Sequence, residues 1–360
     1  MNLVLAHDYL IQMGGAERVV AAMHRRFPQA PIYTSAICRE KLWDDFKDAD
    51  IRTTWLQYAP AIGSQTHFKK YLPLYPAAFR SFGEVKASHA WISSSTFAKY
   101  MRFSPETRTV CYVHNPTRFL WQTDEYLDHE VKGSLLNRVV RSAVPIFRRY
   151  DKAAARQMKV LVANSRNVQE RILRCYQRDS LVIPPPVQTG RFRVSSQDDG
   201  FFLIVSRLLG YKNIDLAVRT FSQNGKRLVV IGDGPEREEL ERMAGPSVQI
   251  LGRLPDAEVQ SHFERCHAFV FPGHEDFGIT PVEAMACGKP VIAFRKGGAL
   301  ETVIENETGV FFDSIDQGSL SRAIQDLEKI PWNPAIIRRH AEQFSEEQFL
   351  ARMEAVLRGQ

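Results

Sequence analysis

The sequence has few cysteines and no long apolar run. Its five cysteines are Cys38, Cys111, Cys175, Cys266 and Cys287, and no two form a C-x-x-C pair. This spacing argues against a zinc ribbon or a disulfide framework and suits a reducing cytosol. No stretch approaches the roughly 20 apolar residues that cross a bilayer, and His7 and Asp8 interrupt the first apolar run before it could act as a signal peptide. We therefore expect a chain that does not span a membrane.

Motifs for metal or nucleic-acid binding are also missing. The ten histidines show no zinc-ligand spacing such as H-E-x-x-H. Asp48-Ala49-Asp50 has the letters of a metal-binding D-x-D motif but lies in a charged stretch, not at the end of an apolar strand. A formal charge of +6 favours an anionic partner, yet no helix-turn-helix, RNA-binding sheet motif or Cys/His finger is present. We expect no essential metal and no nucleic-acid partner.

Short apolar runs alternate with longer charged, amphipathic stretches along the whole chain. This pattern predicts βαβ units, and hence an α/β fold with parallel sheets covered by helices on both faces. The predicted strands are Leu3–Leu5, Ala90–Ile92, Val110–Val113, Lys159–Ala163, Phe202–Val205, Leu228–Ile231, Val248–Leu251, Ala268–Phe271 and Pro290–Ala293.

The length of 360 residues fits two domains. Three consecutive prolines from Pro184 exclude a helix or a central strand and indicate the junction. We predict an N-terminal domain over residues 1–183, a linker over 184–200 and a C-terminal domain over 201–340. Residues 341–360 have helical apolar spacing and are expected to pack back on the N-terminal domain.

The segment after the strand Ala268–Phe271 carries the strongest signal. Thr280 as N-cap, Pro281 at the first helical position and Glu283 three residues after the cap predict the start of a helix. The free N–H groups at such a helix start could hold a phosphate at the end of a strand. Alternatively, Glu283 merely completes a capping box, which is common in helices of every kind.

This segment resembles the E-x7-E motif of retaining glycosyltransferases of family 4, with Glu275 and Glu283 as its two glutamates. The resemblance implies a GT-B fold, in which two Rossmann-like domains face each other across a cleft. It assigns Glu283 to the ribose and Glu275 to the transferred sugar. The other nucleotide-sugar contacts that it implies here are Phe277, Gly278, Ile279 and Thr280.

Two cations follow the strand Phe202–Val205. Arg207 and Lys212 lie five residues apart in a segment that resembles the S-R-L-x-x-x-K-N signature of the same family, whose arginine and lysine bind the diphosphate. Cleavage of a nucleotide-sugar bond builds negative charge on that diphosphate, and fixed cations lower the barrier. The alternative for each residue alone is a solvated surface charge.

Glycine turns follow several other strands. Gly232-Asp233-Gly234 resembles part of a dinucleotide-binding motif, but Arg237 replaces its third glycine, so we reject a dehydrogenase and interpret the turn as mainly structural. Arg253 lies where the family's backbone contacts the base. Gly298 opens another predicted helix, where glycine permits close approach of a phosphate.

The N-terminal half carries two further similarities to the family. Gly14 and Gly15 begin the G-G-A-E-R loop, whose amides are expected to face the diphosphate. His114 follows the strand Val110–Val113, where the family's histidine contacts the transferred sugar. The residues after it resemble a mannosyltransferase-like subgroup, although Asn115 and Gln122 depart from that pattern, which leaves the donor sugar open.

Basic and aromatic residues are mixed in two segments, His67 to Phe82 and Val139 to Arg149. Such a surface suits an anionic membrane interface, and the alternative is a helix packed on the domain with its cations in water. The resembling subgroup commonly uses polyprenyl-diphosphate-linked acceptors. We therefore expect a cytoplasmic enzyme that binds peripherally to the inner face of the plasma membrane.

The resemblance implies a retaining hexosyltransferase, and we expect it to need no cofactor. Its donor would be a nucleotide diphosphate sugar, with GDP-mannose preferred, and its acceptor a lipid-linked saccharide in surface polysaccharide biosynthesis. An epimerase or hydrolase on the same fold is the first alternative, and a non-catalytic protein that binds an anionic ligand is the second.

Overall fold

The computed structural model describes residues 2–63, 67–122 and 134–360. The chain divides into two compact units, which we call unit 1 (Met1–Pro184 with Phe349–Gln360) and unit 2 (Pro185–Gln348). The division falls at the second of the three consecutive prolines. Residues 185–200 pack within unit 2, where Val187 and Phe192 are buried in its core.

Unit 1 is built on a seven-stranded parallel sheet with the strand order β3-β2-β1-β5-β7-β8-β9. A separate pair is formed by β4 and β6. The strands are β1 (Leu3–His7), β2 (Ile32–Thr34), β3 (Ile51–Thr53), β4 (Glu84–Val85), β5 (His89–Ser94), β6 (Arg102–Phe103), β7 (Arg108–Val113), β8 (Val160–Ala163) and β9 (Leu181–Val182). The helices are α1 (Gly15–Arg26), α2 (Tyr75–Arg80), α3 (Arg118–Trp121), α4 (Ser134–Gln157) and α5 (Arg166–Tyr176).

Unit 2 contains a six-stranded parallel sheet with the order β12-β11-β10-β13-β14-β15. Its strands are β10 (Phe201–Val205), β11 (Arg227–Ile231), β12 (Val248–Gly252), β13 (Ala268–Phe271), β14 (Val291–Phe294) and β15 (Gly309–Phe312). The helices are α6 (Ile214–Asn224), α7 (Arg237–Met243), α8 (Asp256–Arg265), α9 (Ile279–Ala286), α10 (Ala299–Thr302), α11 (Gln317–Lys329) and α12 (Pro334–Glu342).

The last helix, α13 (Glu346–Arg358), buries its apolar residues against unit 1. The ring of Phe349 lies 5.8 Å from that of Trp91 and 5.5 Å from that of Tyr112. The guanidinium of Arg26 forms an ion pair with Glu354. The final residues of the chain are therefore part of the core of unit 1.

The predicted α/β class is confirmed, and each of the nine predicted strands is present within one or two residues of its predicted bounds. The strands β2, β3, β4, β6, β9 and β15 were not predicted.

The strand order reverses once in each sheet, between β1 and β5 in unit 1 and between β10 and β13 in unit 2. In open parallel sheets, the carboxyl ends of the strands beside such a reversal border a crevice in which ligands bind. The residues that follow β1, β5, β10 and β13 are therefore the candidates for ligand binding.

Candidate active site

The reversal in unit 2 brings Lys212 and Glu275 together. Lys212 ends a short helical turn after β10, and Glu275 lies in the loop after β13. They form an ion pair in which the Lys212 side chain is 10% and the Glu275 side chain 29% exposed. Both residues line a narrow cavity together with Ser206 and Gly273. A cation and a carboxylate are thus held at the place where a parallel sheet binds ligands.

The turn that carries Lys212 is fixed to the loop after β13. Asn213 adopts the left-handed conformation with φ 51°, and its side chain donates to the Pro272 carbonyl at 3.2 Å. A Cβ at Gly273 would lie 2.9 Å from the Lys212 Cα, so only glycine allows these two segments to approach so closely. The position of Lys212 is therefore set by backbone packing.

The helix after this loop begins earlier than the sequence predicts. Helix α9 starts at Ile279 and its N-cap is Gly278, with φ 86°. Thr280 is therefore not the N-cap, and Pro281 is the third helical residue, where its missing N–H costs no intrahelical bond. Glu283 lies two residues beyond the capping-box position and is only 6% exposed. The capping-box alternative for Glu283 is thus wrong.

Two other residues of this region are held in the protein interior. The ring of Phe277 is buried and packs at 5.6 Å against Phe344, so a ligand could meet only its main chain. A Cβ at Gly298 would lie 2.2 Å from the Phe277 Cα, and the Gly298 amide donates to the Glu275 carbonyl at 2.9 Å. The close approach at Gly298 is therefore to protein backbone, and glycine is required there by this packing.

The remaining cations of unit 2 face solvent. Arg207 follows β10, and Arg253 follows β12. Both are exposed, and neither lines the cavity of Lys212 and Glu275. Within the described part of the chain, the Arg207 guanidinium has no hydrogen bond or ion pair, so it is available to an anionic ligand.

The Gly232-Asp233-Gly234 turn supports the loop that carries Arg207. A Cβ at Gly232 would lie 1.8 Å from the Ser206 carbonyl oxygen, and one at Gly234 would lie 2.3 Å from that of Leu208. Gly232 also has a φ of 142°. Both glycines therefore have a structural role, as the sequence analysis proposed.

In unit 1 the predicted residues follow β1, at the strand reversal, and β7, the neighbour of β5. Gly14 is the N-cap of α1, and its amide donates to the Glu17 carboxylate at 3.0 Å. That amide is already engaged, whereas Gly15 begins the helix and its amide has no intrahelical acceptor. His114 follows β7, and its Nε2 lies 2.8 Å from the Ser93 hydroxyl.

A buried carboxylate that the sequence did not reveal holds the segment after His114. Asp151 of α4 accepts hydrogen bonds from Thr117 at 2.9 Å and from the Trp121 indole at 2.8 Å. It also pairs with Lys99 at 2.9 Å, and both side chains are almost fully buried. The aromatic motif after His114 is thus anchored by a charge pair whose members are distant in sequence.

A second buried carboxylate shapes the loop after β5. Asp8 accepts from four consecutive backbone N–H groups, those of residues 95–98, at 2.6–2.8 Å. Burial disfavours its ionisation, but the neighbouring His7 and these N–H groups outweigh that effect and hold the pKa of Asp8 below its ordinary value. The loop between Ser94 and Lys99 is therefore fixed by one ionised side chain.

The described residues contain neither a metal-binding cluster nor a membrane-spanning helix. Among residues 2–63, 67–122 and 134–360, no group of three or more His, Cys, Asp or Glu side chains could hold a metal ion. Asp50, from the D-x-D letters, pairs with Arg52 at 2.7 Å. Over the same ranges, no helix has the length and apolar character needed to cross a membrane.

Comparison with known proteins identifies the family. The profile described as Glycosyltransferase Family 4 matches residues 13–191, and the profile described as Glycosyl transferases group 1 matches residues 189–347. The two matches follow each other along the chain and together leave only its two ends uncovered.

Curated relatives match over shorter regions. A GDP-mannose-dependent alpha-(1-6)-phosphatidylinositol monomannoside mannosyltransferase of Mycolicibacterium smegmatis is 31% identical over 40% of this chain and 46% of its own length. An alpha-1,3/1,6-mannosyltransferase of Dictyostelium discoideum is 24% identical over 56% of this chain and 58% of its own length. The chain thus spans about half the length of these relatives.

Solved structures match over the whole chain. Anabaena HepE in complex with UDP has a TM-score of 0.73 at 17% identity and is covered completely, as is this chain. The apo form of the lipopolysaccharide outer core galactosyltransferase WaaB has a TM-score of 0.67 at 16% identity, over 99% of this chain and 98% of its own. From the two family profiles and these matches in fold, the chain belongs to the group 1, family 4 glycosyltransferases and has the GT-B fold.

Proposed function

We propose that this chain is a retaining glycosyltransferase that moves a hexose, mannose in our preferred assignment, from a nucleotide diphosphate sugar to a hydroxyl of a saccharide acceptor. The observation that carries the proposal is the ion pair of Lys212 and Glu275 at the strand reversal of unit 2, in a chain of this family. Unit 2 would bind the nucleotide sugar and unit 1 the acceptor.

In this proposal each side chain of the site in unit 2 has a separate role. Lys212 and Arg207 neutralise the charge that develops on the departing diphosphate. Glu275 binds the sugar, and the buried Glu283 binds the ribose hydroxyls. The first turn of α9 adds backbone N–H groups, since the amides of Ile279 and Thr280 have no intrahelical acceptor.

The departing diphosphate itself is proposed to take the proton of the acceptor hydroxyl, on the same face of the sugar that it leaves. We therefore assign no nucleophile to the protein. A product with the anomeric configuration of the donor, determined by nuclear magnetic resonance, is the expected result. An inverted product would contradict this mechanism.

Two groups of relatives suggest different donors. The mannosyltransferase of M. smegmatis is named for GDP-mannose, whereas HepE was solved with UDP and with UDP-glucose. Our preference for GDP-mannose follows the relatives with the higher sequence identity. A ligand that binds only the folded state raises its stability by mass action, so the melting temperature should rise more with GDP than with UDP or ADP. A larger rise with UDP would transfer the assignment to a UDP-sugar.

Transfer to an acceptor separates this proposal from its alternatives. With GDP-mannose and a polyprenyl-diphosphate-linked saccharide, we expect nucleotide release to depend on the acceptor. Nucleotide release at the full rate without an acceptor would indicate an epimerase or hydrolase. Binding of nucleotide with no turnover on any donor and acceptor pair would indicate a binding protein.

A membrane-bound acceptor requires the enzyme to reach the cytoplasmic leaflet. On α4, Ile146 is 58% and Tyr150 is 53% exposed, and Arg149 beside them is exposed as well. In the other predicted segment, Tyr75 and Phe79 are buried in the core, so the membrane contact is proposed for α4. Side chains of residues 67–70, 134–141 and 143 lie outside the described part of the chain.

Liposome sedimentation tests this surface. Anionic vesicles should sediment the protein at low salt and release it at high salt, because the attraction is screened. The variant Arg149→Glu should sediment less, whereas Arg219→Glu, on the exposed side of α6 in unit 2, serves as the charge-matched control. Equal sedimentation of both variants, or none for the unmodified protein at low salt, would exclude this surface.

A further inference from the structure

The ring of Tyr211 lies beside the ammonium of Lys212 in the candidate site. The Lys212 Nζ atom is 5.3 Å from the centroid of that ring, within the distance of about 6 Å over which the negative face of an aromatic ring attracts a cation. Tyr211 is 54% exposed and belongs to neither hydrophobic core cluster of unit 2. The ammonium thus has a neutral partner in addition to the carboxylate of Glu275.

The turn after β10 fixes the backbone on both sides of this ring. The Lys212 amide donates to the Leu209 carbonyl at 2.9 Å, and the Asn213 amide donates to the Gly210 carbonyl at 3.1 Å. Asn213 is also bound to the loop after β13 through its side chain. Tyr211 therefore lies in the middle of a hydrogen-bonded turn, which keeps its ring within reach of the Lys212 side chain.

The contact uses the ring of Tyr211 and not its hydroxyl. Among the residues that the structure describes, the Tyr211 hydroxyl has no hydrogen-bond partner. A buried tyrosine usually directs its hydroxyl to a partner, whereas this phenol is open to solvent and only the ring meets the cation. The interaction therefore requires an aromatic ring at this position and does not require a phenol.

The two partners of Lys212 respond differently to an anionic ligand. Glu275 and a diphosphate are both anions, so they compete for the same ammonium. The ring of Tyr211 is neutral and attracts the ammonium through its quadrupole, so an anion has no reason to displace it. The ammonium carries three N–H donors, which allows one side to face the ring while another faces the anion.

We propose that Tyr211 is a positioning residue whose ring holds the Lys212 ammonium in place, both while Lys212 is paired with Glu275 and after a diphosphate replaces that carboxylate. The inference rests on the proposed function, in which Lys212 stabilises the departing diphosphate. Tyr211 itself needs no contact with the substrate in this role, because it acts through Lys212 alone.

Ring-current shifts test the contact without any turnover. Protons over the face of an aromatic ring resonate upfield, so we expect upfield terminal methylene protons for Lys212 in the full chain with ¹³C-labelled lysine. These signals should move downfield in Tyr211→Leu and stay in place in Tyr211→Phe, and Lys212→Ala identifies them by their loss. The upfield position should persist at saturating GDP. Equal shifts in the unmodified protein and Tyr211→Leu, or a downfield move on GDP binding, would overturn the proposal.

Steady-state kinetics test the electrostatic character of the contact. Tyr211→Leu should lower kcat/KM for the donor about two- to fivefold, the effect of losing a cation–π contact at an exposed site, and Tyr211→Phe should restore it. Phenylalanines with one, two and three ring fluorines in place of Tyr211 weaken the negative face with little change in shape, so kcat/KM should fall stepwise. Tyr58→Leu, at another exposed tyrosine, is the control and should keep the full rate. An equal kcat/KM across the fluorinated series would contradict the proposal.

A double-mutant cycle tests whether the ring acts through Lys212. In the Lys212→Ala background, Tyr211→Leu should cause no further loss of kcat/KM, because the cation that it holds is gone. The same fold loss in both backgrounds would refute the positioning role. The ring-current signature in a chain that transfers no sugar would refute the proposed function and leave the contact standing, whereas normal kcat/KM in Tyr211→Leu would refute the positioning role alone.

Discussion

Replacing Lys212 by alanine should remove most of the transfer activity. The Lys212 side chain is 10% exposed and is held at the carboxyl ends of β10 and β13 by the close contact at Gly273. In the proposed mechanism this fixed cation neutralises the departing diphosphate. Loss of one preorganised donor to a developing charge costs about 2.7–4 kcal/mol, which corresponds to a fall in kcat of about 10²–10³.

The same substitution should leave unit 2 folded. It removes the partner of Glu275, whose side chain is 29% exposed, so water can solvate the carboxylate that remains. The pair lies between a surface pair, worth about 0–1 kcal/mol, and a fully buried pair, whose disruption costs about 3–5 kcal/mol. We expect a loss of about 1–2 kcal/mol in the free energy of unfolding, and hence a fall of about 2–8 °C in the melting temperature.

The assay compares kcat at saturating donor and acceptor with the melting temperature of each variant. Lys226→Ala is the matched control, because Lys226 is also a lysine of unit 2 in an ion pair, here with the half-exposed Glu328 at 2.5 Å. The control should keep the full rate. Turnover of Lys212→Ala within about threefold of the unmodified enzyme, with the control also active, would refute the role assigned to this cation.

Three further substitutions test residues that hold the two sites in place. Asp151→Asn leaves a buried ammonium without its charge partner and should cost about 3–5 kcal/mol in urea unfolding, whereas Asp326→Asn in an exposed pair should cost under about 1 kcal/mol. Gly298→Ala places a Cβ 2.2 Å from a backbone atom. It should lower the free energy of unfolding by about 1–3 kcal/mol and weaken GDP binding. The control Gly190→Ala, whose added Cβ would meet nothing within 4 Å, should change neither. His7→Gln tests the raised pKa of His7. Burial disfavours a charged His7, but the adjacent Glu17 carboxylate outweighs burial. The pKa of His7 in the folded protein therefore lies above the ordinary value of 6.5, so protonation of His7 stabilises the folded state. This stabilisation is complete below pH 6.5 and declines as the pH rises through the folded pKa. The unfolding free-energy difference between His7→Gln and the unmodified protein should therefore shrink with rising pH, and a difference that grows would contradict the reasoning.

The sequence predicted well what depends on local pattern. Apolar runs located nine of the thirteen strands in the two large sheets, and the family motif singled out Lys212 and Glu275, which lie 63 positions apart. The structure explains why these two residues meet: β10 and β13 are neighbours in the sheet although two strands separate them in sequence. Periodicity reveals strands, whereas strand order depends on how the whole sheet packs.

The sequence predicted poorly what depends on the atoms around a residue. Gly298 indicated a need for space, and the sequence did not reveal that the backbone at Phe277 is what lies against it. Thr280 has the side chain of an N-cap, yet the helix begins before it because Gly278 adopts a left-handed conformation that few other residues tolerate. The residue type limits the conformations and contacts that are possible at a position. The tertiary contacts around that position determine which of them is adopted.

The two strand reversals differ in how their polar groups are satisfied, and this difference has a functional consequence. In unit 1 the buried charges of Asp8 and Asp151 are matched by protein donors, so the geometry around His114 is set before any ligand arrives. In unit 2 Arg207 is exposed, and Lys212 is neutralised by Glu275. In the proposed mechanism, a diphosphate would compete with Glu275 for Lys212, and its arrival would release that carboxylate toward the sugar. Under that proposal, the polar groups near His114 are held by the protein, whereas the charges of unit 2 would rearrange when the donor binds.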